Sequence, residues 1–394
     1  MQEKYRRVHV LPVDPRAQSR PLPHDPVRRS VAMFIAKAFI LFGDHASSSI
    51  PIKFRDNPSG FTADDFRFTL LAMHPKVPLA RIHLIALLSM ILPTATTLSA
   101  EKRSLAERLG YQATDRILIV NGDDAGMCHA ANQGTIQCLE QGLMRSSTIM
   151  VPCPWFPEIA TYAKEHPDKD FGIHLCHTSE WKKFRWGPVA NKDLVPGLID
   201  PEGYLWHEVP DVYSHATPEQ ALIEARAQIK HALASGVDVT HLDSHMGTLQ
   251  LDPNYMKSYL QLGEEFDLPL RMGSQETLVR FGYPKLRDEF AARGIVFTDY
   301  FIYEELKDES KDVKGFWLNI VKNLKPGVTE LYIHAALPTE ELKAITGSWQ
   351  TRSQECEVFS KDEAMKQLIK QEKIILLGYR PLRELQRKER RESK

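Results

Sequence analysis

The chain has 394 residues, 43% hydrophobic and 26% charged, enough to bury one large core or two ordinary ones. A net charge of −1 leaves no electrostatic footprint for nucleic acid, and none is expected as a partner. Five cysteines, odd in number and without a Cys-x-x-Cys pair, argue against a disulfide framework or a thiolate zinc knuckle.

Residues 1–72 have no clean periodicity and open on an Arg- and Pro-rich stretch that resists packing. The apolar patch 31–42 is short for a bilayer span and is interrupted by Lys37. Residues 73–100 have the layout of a secretory signal peptide. His74, Lys76 and Arg81 precede the apolar run 82–92, and mostly small residues close it at 93–100. The reading is that translation starts at Met73, that 1–72 is a non-native or disordered upstream extension, that 73–100 is the signal peptide, and that 101–394 is the exported mature domain. On this reading the mature chain has no stable membrane span. The alternative is a buried helix in a cytoplasmic protein. An exported protein whose N-terminus lies well before Glu101 would refute the signal peptide.

From Glu101 onward, strand-like and helical patterns alternate. Strand-like runs fall at 117–120, 147–151, 171–175, 237–242, 268–272, 295–301, 330–333 and 373–377. Helical patterns fall at 130–142, 157–165, 218–235, 253–266, 277–293, 313–324 and 361–371. Thr217-Pro218 is a helix start, and Gly236 and Gly294 mark helix ends. This alternation implies an α/β fold with a mainly parallel sheet, and about eight such units fit a distorted (β/α) barrel. An open doubly wound sheet is the alternative, but no Gly-x-Gly-x-x-Gly follows the first strand, which weakens a dinucleotide reading. Residues 178–213 show little regular pattern but hold Trp181, Trp186, Tyr204, Trp206 and His207, the composition of a binding loop or lid.

Chemistry-bearing residues gather at the strand ends. Asp123 and Asp124 close the first strand, between Gly122 and Gly126. Side chains alternate along a strand, so the two carboxylates share a direction only if the backbone turns. One can then hold a metal while the other acts on water; an Asx turn capping the next helix is the bland alternative. His174 ends another strand, and His241, Asp243 and His245 stand at i, i+2 and i+4, on one face if extended. His334 ends a later strand. On one barrel rim these residues make an oxygen–nitrogen–nitrogen donor set with open positions, as a catalytic divalent metal requires. Cys176 reads as packing, and His129, His166, His177, His207, His215 and His231 as surface or loop residues.

Asn121-Gly122-Asp123-Asp124, Gly172-Ile173-His174-Leu175, Thr240-His241-Leu242-Asp243-Ser244-His245 and Ile333-His334-Ala335 together resemble the YdjC/ChbG-type carbohydrate deacetylases over roughly 115–382. The resemblance implies a (β/α)-barrel-like fold related to polysaccharide deacetylases, and removal of acetyl groups from N-acetylated sugars or oligosaccharides with one divalent metal, magnesium or zinc. It further implies Asp124, His174 and His245 as metal ligands, Asp123 as general base and His334 as acid. His241 and Asp243 would orient the ligands. Trp181, Trp186 and Tyr204 are candidates to stack on sugar faces, or simply close the loop's own small core. Two departures reshape the pocket wall without touching a ligand. Gly122 and Ala125 stand where many members have Ala and Phe, and Met246-Gly247 where they carry further histidines. Another metal-dependent hydrolase acting on esters, cyclic amides or phosphoesters, and a non-catalytic carbohydrate-binding protein, are the rival readings. A homo-oligomer is left open.

Overall fold

The computed structural model describes residues 103–303 and 312–393. Residues 1–72 and 73–100, where an upstream extension and a signal peptide are expected, lie outside the described residues. Seven strands form a parallel sheet in the order β4-β3-β2-β1-β6-β5, with β7 also pairing with β1. They are β1 (Arg116–Ala125), β2 (Ser146–Ile149), β3 (Asp170–Leu175), β4 (Val239–Ser244), β5 (Tyr300–Ile302), β6 (Gly327–Ile333) and β7 (Ile375–Leu376).

The sheet curls into a distorted (β/α) barrel with helices between its strands. Beyond β4, a single parallel bridge joins Leu242 to Leu270, and Leu270 N–H donates to Val296 O at 3.3 Å. These contacts carry the curl from β4 round toward β5. The run 268–272, expected as a full strand, makes only that bridge. Its Pro269 has no N–H to donate, which interrupts a ladder. Of 295–301, only the end is strand, as the start of β5.

The expected helix 277–293 is two, Gln275–Arg280 and Leu286–Ala292, broken where Gly282 takes φ +88° and Pro284 follows. The helix Pro218–Ala234 begins as its residues predict, Thr217 accepting the Gln220 N–H ahead of a proline in the first turn. Val209–His215 and Arg380–Glu392 are further helices not expected from the sequence, as is Trp349–Ser360, which has no clear apolar stripe. None of the described helices is long and apolar enough to cross a membrane.

β1 is buried along nearly its whole length, since neighbours cover both faces. Its alternation sorts the core. Ile117 and Ile119 join Val328, Tyr379 and Leu382 in an inner cluster, whereas Leu118 and Val120 belong to the larger layer beneath the helices. Each such fully buried side chain contributes on the order of 1.5–3 kcal/mol. The same parity aims Asn121 and Asp123 inward. Registers bring the strand ends together: Gly122 pairs with Ile333, and His174 with Asp243. The C-terminal ends of β1, β3, β4 and β6 therefore meet on one rim, where such folds collect chemistry.

Candidate metal centre

Simple alternation would send Asp124 away from the inner face. A register shift between Gly122 and Ala125, and a left-handed backbone at Asp124 (φ 66°), redirect it. Met246, directly after His245, is likewise left-handed at φ 50°. Such conformations cost on the order of 1–3 kcal/mol each outside glycine and persist where surrounding structure over-determines them. Both fall at the same cluster.

Asp124 Oδ1 lies 3.3 Å from His174 Nε2 and 3.4 Å from His245 Nδ1. One donor atom from each of these buried residues lies within 4.8 Å of the others. His334 Nε2 stands 3.9 Å from Asp124 Oδ2, on a more open side chain. Both Asp124 oxygens are buried and accept no well-aligned hydrogen bond among the described residues, although Arg352 Nη1 lies 2.8 Å from Oδ2. Burial opposes the charge on Asp124, but Arg352 and the two imidazoles outweigh it and hold the carboxyl well below its usual range.

Asp123 lives differently. Arg271 grips both its oxygens, at 2.7 and 2.8 Å, and Asn121 donates to Oδ1 at 2.9 Å. Burial would raise its pKa; Arg271 overrides that and keeps it ionised. Arg271 also reaches Asp243 Oδ2 at 2.9 Å and Glu330 Oε1 at 2.8 Å. Burial still pushes Glu330 up to about 7, despite Arg271 and the Tyr379 hydroxyl that donates to it.

Among the described residues, two clusters have the composition of a single-ion site: Asp124, His174 and His245, and Asp123, His174 and Asp243. In the second, Arg271 already supplies the positive charge. In the first, Arg352 reaches Asp124 Oδ2, while Oδ1 faces the His174 and His245 ring nitrogens, an oxygen–nitrogen–nitrogen set that fits a divalent cation.

Asp243 backs His174, its Oδ1 2.6 Å from Nδ1. Thr148 Oγ1 donates to the other Asp243 oxygen at 2.9 Å. His241 touches no ligand, contrary to the expectation that it orients one. Its Nε2 meets Asn121 Oδ1 at 3.2 Å, and its ring stacks on Tyr379 at 3.8 Å. It therefore supports the partner of Asp123. Gly172 makes room for it, because a Cβ there would sit 2.6 Å from the His241 ring.

The aromatic loop is partly its own core. Trp186 is buried, packs edge-on against Trp181 and Phe184, and cannot offer a free face to a sugar. Trp181 is half-buried in the same group, whereas Tyr204 is exposed, with Arg185 over its ring. Cys176 is buried packing, as its context suggests. His177, read as a surface or loop residue, lies in the loop just after β3 but is fully buried, and its Nε2–H donates to Ala221 O at 2.9 Å. A cleft of about 540 Å³ opens beside the site, lined in part by Glu180, Lys182, His207, Glu208 and Met246.

Four site residues escaped the sequence reading. Arg271 and Glu330 had a signal, a charge inside an apolar strand-like run. Glu180, in an irregular loop, and Arg352, on a helix with no clear apolar stripe, had none.

The family model for YdjC-like proteins matches residues 117–371. The chain belongs to the YdjC-like family. Its relatives include a carbohydrate deacetylase of Thermoanaerobacter pseudethanolicus, 30% identical over 264 residues that cover 67% of this chain and 98% of the relative. One from Thermus thermophilus is 35% identical over 257 residues, 63% of this chain and 87% of that protein. A crystal structure from Enterococcus faecalis V583, of a protein proposed to cleave cellobiose phosphate, shares the fold at a TM-score of 0.59. It is 27% identical and covers 68% of this chain and 99% of that one. The matched span of this YdjC-like chain takes in every residue of the metal centre.

Proposed function

We propose that the protein hydrolyses the acetamide of N-acetylated sugars or oligosaccharides, releasing acetate and a free amine. The observation that carries this is Asp124, its oxygens without a well-aligned hydrogen bond, facing His174 and His245 beside an ionised Asp123, in a family whose relatives are carbohydrate deacetylases. Asp124, His174 and His245 hold the divalent metal, magnesium or zinc. When bound, such an ion acidifies water and polarises the acetyl carbonyl.

The chain's own residues supply the rest. Asp123, kept ionised by Arg271, accepts the proton of the attacking water as its oxygen bonds to the acyl carbon. His334, on the open side of the site, donates a proton to the nitrogen as the C–N bond breaks. Asp243 holds the His174 ring in place. The cleft of about 540 Å³ offers space for a sugar beside this machinery. A non-catalytic carbohydrate binder would have no use for an acid and a base around one open centre.

Export through residues 73–100 is the accompanying proposal for localisation; sequencing the mature N-terminus tests it. The reaction is tested by acetate release from N-acetylated oligosaccharides by protein starting at Glu101, run as purified, after chelation, and with metal restored. Activity lost to the chelator and regained with metal is expected. No acetate with any divalent metal, while metal binding stays tight, would refute the proposal.

A further inference from the structure

Glu180 stands five residues past the end of β3, at the beginning of the aromatic loop. Its Oε2 lies 2.9 Å from His245 Nε2, and its side chain is 23% exposed. Its backbone is fastened as well. His207 Nδ1 meets the Glu180 carbonyl oxygen at 3.2 Å, and the Ser179 N–H donates to Trp206 O at 2.7 Å. The carboxylate is therefore held against His245 by both halves of the loop.

The two imidazoles of the metal centre are built alike. Each turns one nitrogen to Asp124 and the other to a carboxylate: His174 to Asp243 at 2.6 Å, His245 to Glu180 at 2.9 Å. A neutral imidazole that donates its outer N–H to a carboxylate presents a lone pair from the inner nitrogen, the form that ligates a metal. The supports differ in setting. Asp243 is fully buried and tied to Arg271 and Thr148. Glu180 stands on the wall of the cleft, beside Lys182 and His207.

We infer that Glu180 is a positioning residue that fixes the tautomer and ring orientation of His245 from the substrate side of the metal centre. It acts on the metal through His245. The inference rests on Asp124, His174 and His245 being the cation ligands, and it does not depend on which bond the enzyme cleaves.

Zinc affinity measured by competition with a chromophoric chelator, without any sugar, tests it. The set is the wild type, Glu180→Ala and Glu180→Gln, with the unfolding midpoint of each metal-free protein recorded alongside. Glu180→Ala should bind zinc about 10–100-fold more weakly at an unchanged midpoint, the usual cost of losing a carboxylate behind a ligand histidine. Glu180→Gln keeps an acceptor oxygen and should recover part of that loss. Wild-type zinc binding with Glu180→Ala within threefold of it would overturn this inference alone. A wild type that binds no divalent cation would overturn the ligand assignment with it. If Glu180→Ala does not fold, Glu180→Gln decides: affinity equal to the wild type with His245 ring-nitrogen NMR shifts unchanged would also overturn the inference.

Discussion

Asp123 and Asp124 are neighbours in sequence, both buried, at the end of one strand, yet the protein treats their charges in opposite ways. Asp123 sits on the inner side, where Arg271 answers it together with Asp243 and Glu330. Asp124 sits on the rim, where Arg352 Nη1 lies 2.8 Å from Oδ2, the His174 and His245 ring nitrogens stand 3.3 and 3.4 Å from Oδ1, and no well-aligned hydrogen bond engages either oxygen. A buried carboxylate held by one ion pair without aligned hydrogen bonds is under-satisfied, so its remaining lone pairs mark a place for an outside cation. One half of the strand end is closed by the fold, Arg271 gripping both Asp123 oxygens; the other is ion-paired at one oxygen only and keeps donor atoms for a metal.

The largest effect should come from breaking the open half. His174→Ala should lose stoichiometric metal and measurable acetate release together, read by elemental analysis and an acetate assay. Metal content unchanged in that variant would remove His174 from the ligand set. Asp123→Asn sharpens the contrast from the other side. It should retain metal while kcat falls by about 10²–10⁴, the range for losing a general base.

Arg271→Leu breaks the closed half. It leaves three carboxylates uncompensated in the interior, and urea unfolding should show a loss of at least about 3–5 kcal/mol. A loss under about 1 kcal/mol would mean the inner charges are not held as described.

A smaller effect separates His174 from His177, three residues on. Burial alone would lower both; for His174, Asp243 and Asp124 outweigh burial and raise its pKa well above the usual value. His177 has no carboxylate partner among the described residues, and burial takes it to about 4. Its folded pKa is below its unfolded value, so its stabilising contribution is complete above about pH 6.5 and is lost as pH falls toward 4. The loss is about 3 kcal/mol. Glu330, raised to about 7, acts in the opposite sense and flattens the net profile. The readout is thus the difference between wild-type and His177→Gln stability curves. It should shrink on acidification, and a flat difference would contradict the assignment.

The smallest change is Tyr379→Phe, which removes the hydroxyl donor to Glu330 and should cost on the order of 1–2 kcal/mol with metal affinity unaltered.

Local pattern determined much of this protein. Apolar runs and helix starts placed most of the strands and long helices of a parallel α/β fold, because periodicity and capping are properties of neighbouring residues. Polar residues at the ends of those runs marked Asp123, Asp124, His174, Asp243, His245 and His334 before any contact was known. Tertiary structure alone decided which of them are answered. Arg271 meets Asp123 across 148 residues of chain, and Glu180 meets His245 across 65. Arg352 reaches Asp124 from a helix without an apolar stripe, and His241 supports Asn121 rather than a ligand. Charge compensation depends on distance through the folded interior, and no local rule of sequence carries that distance.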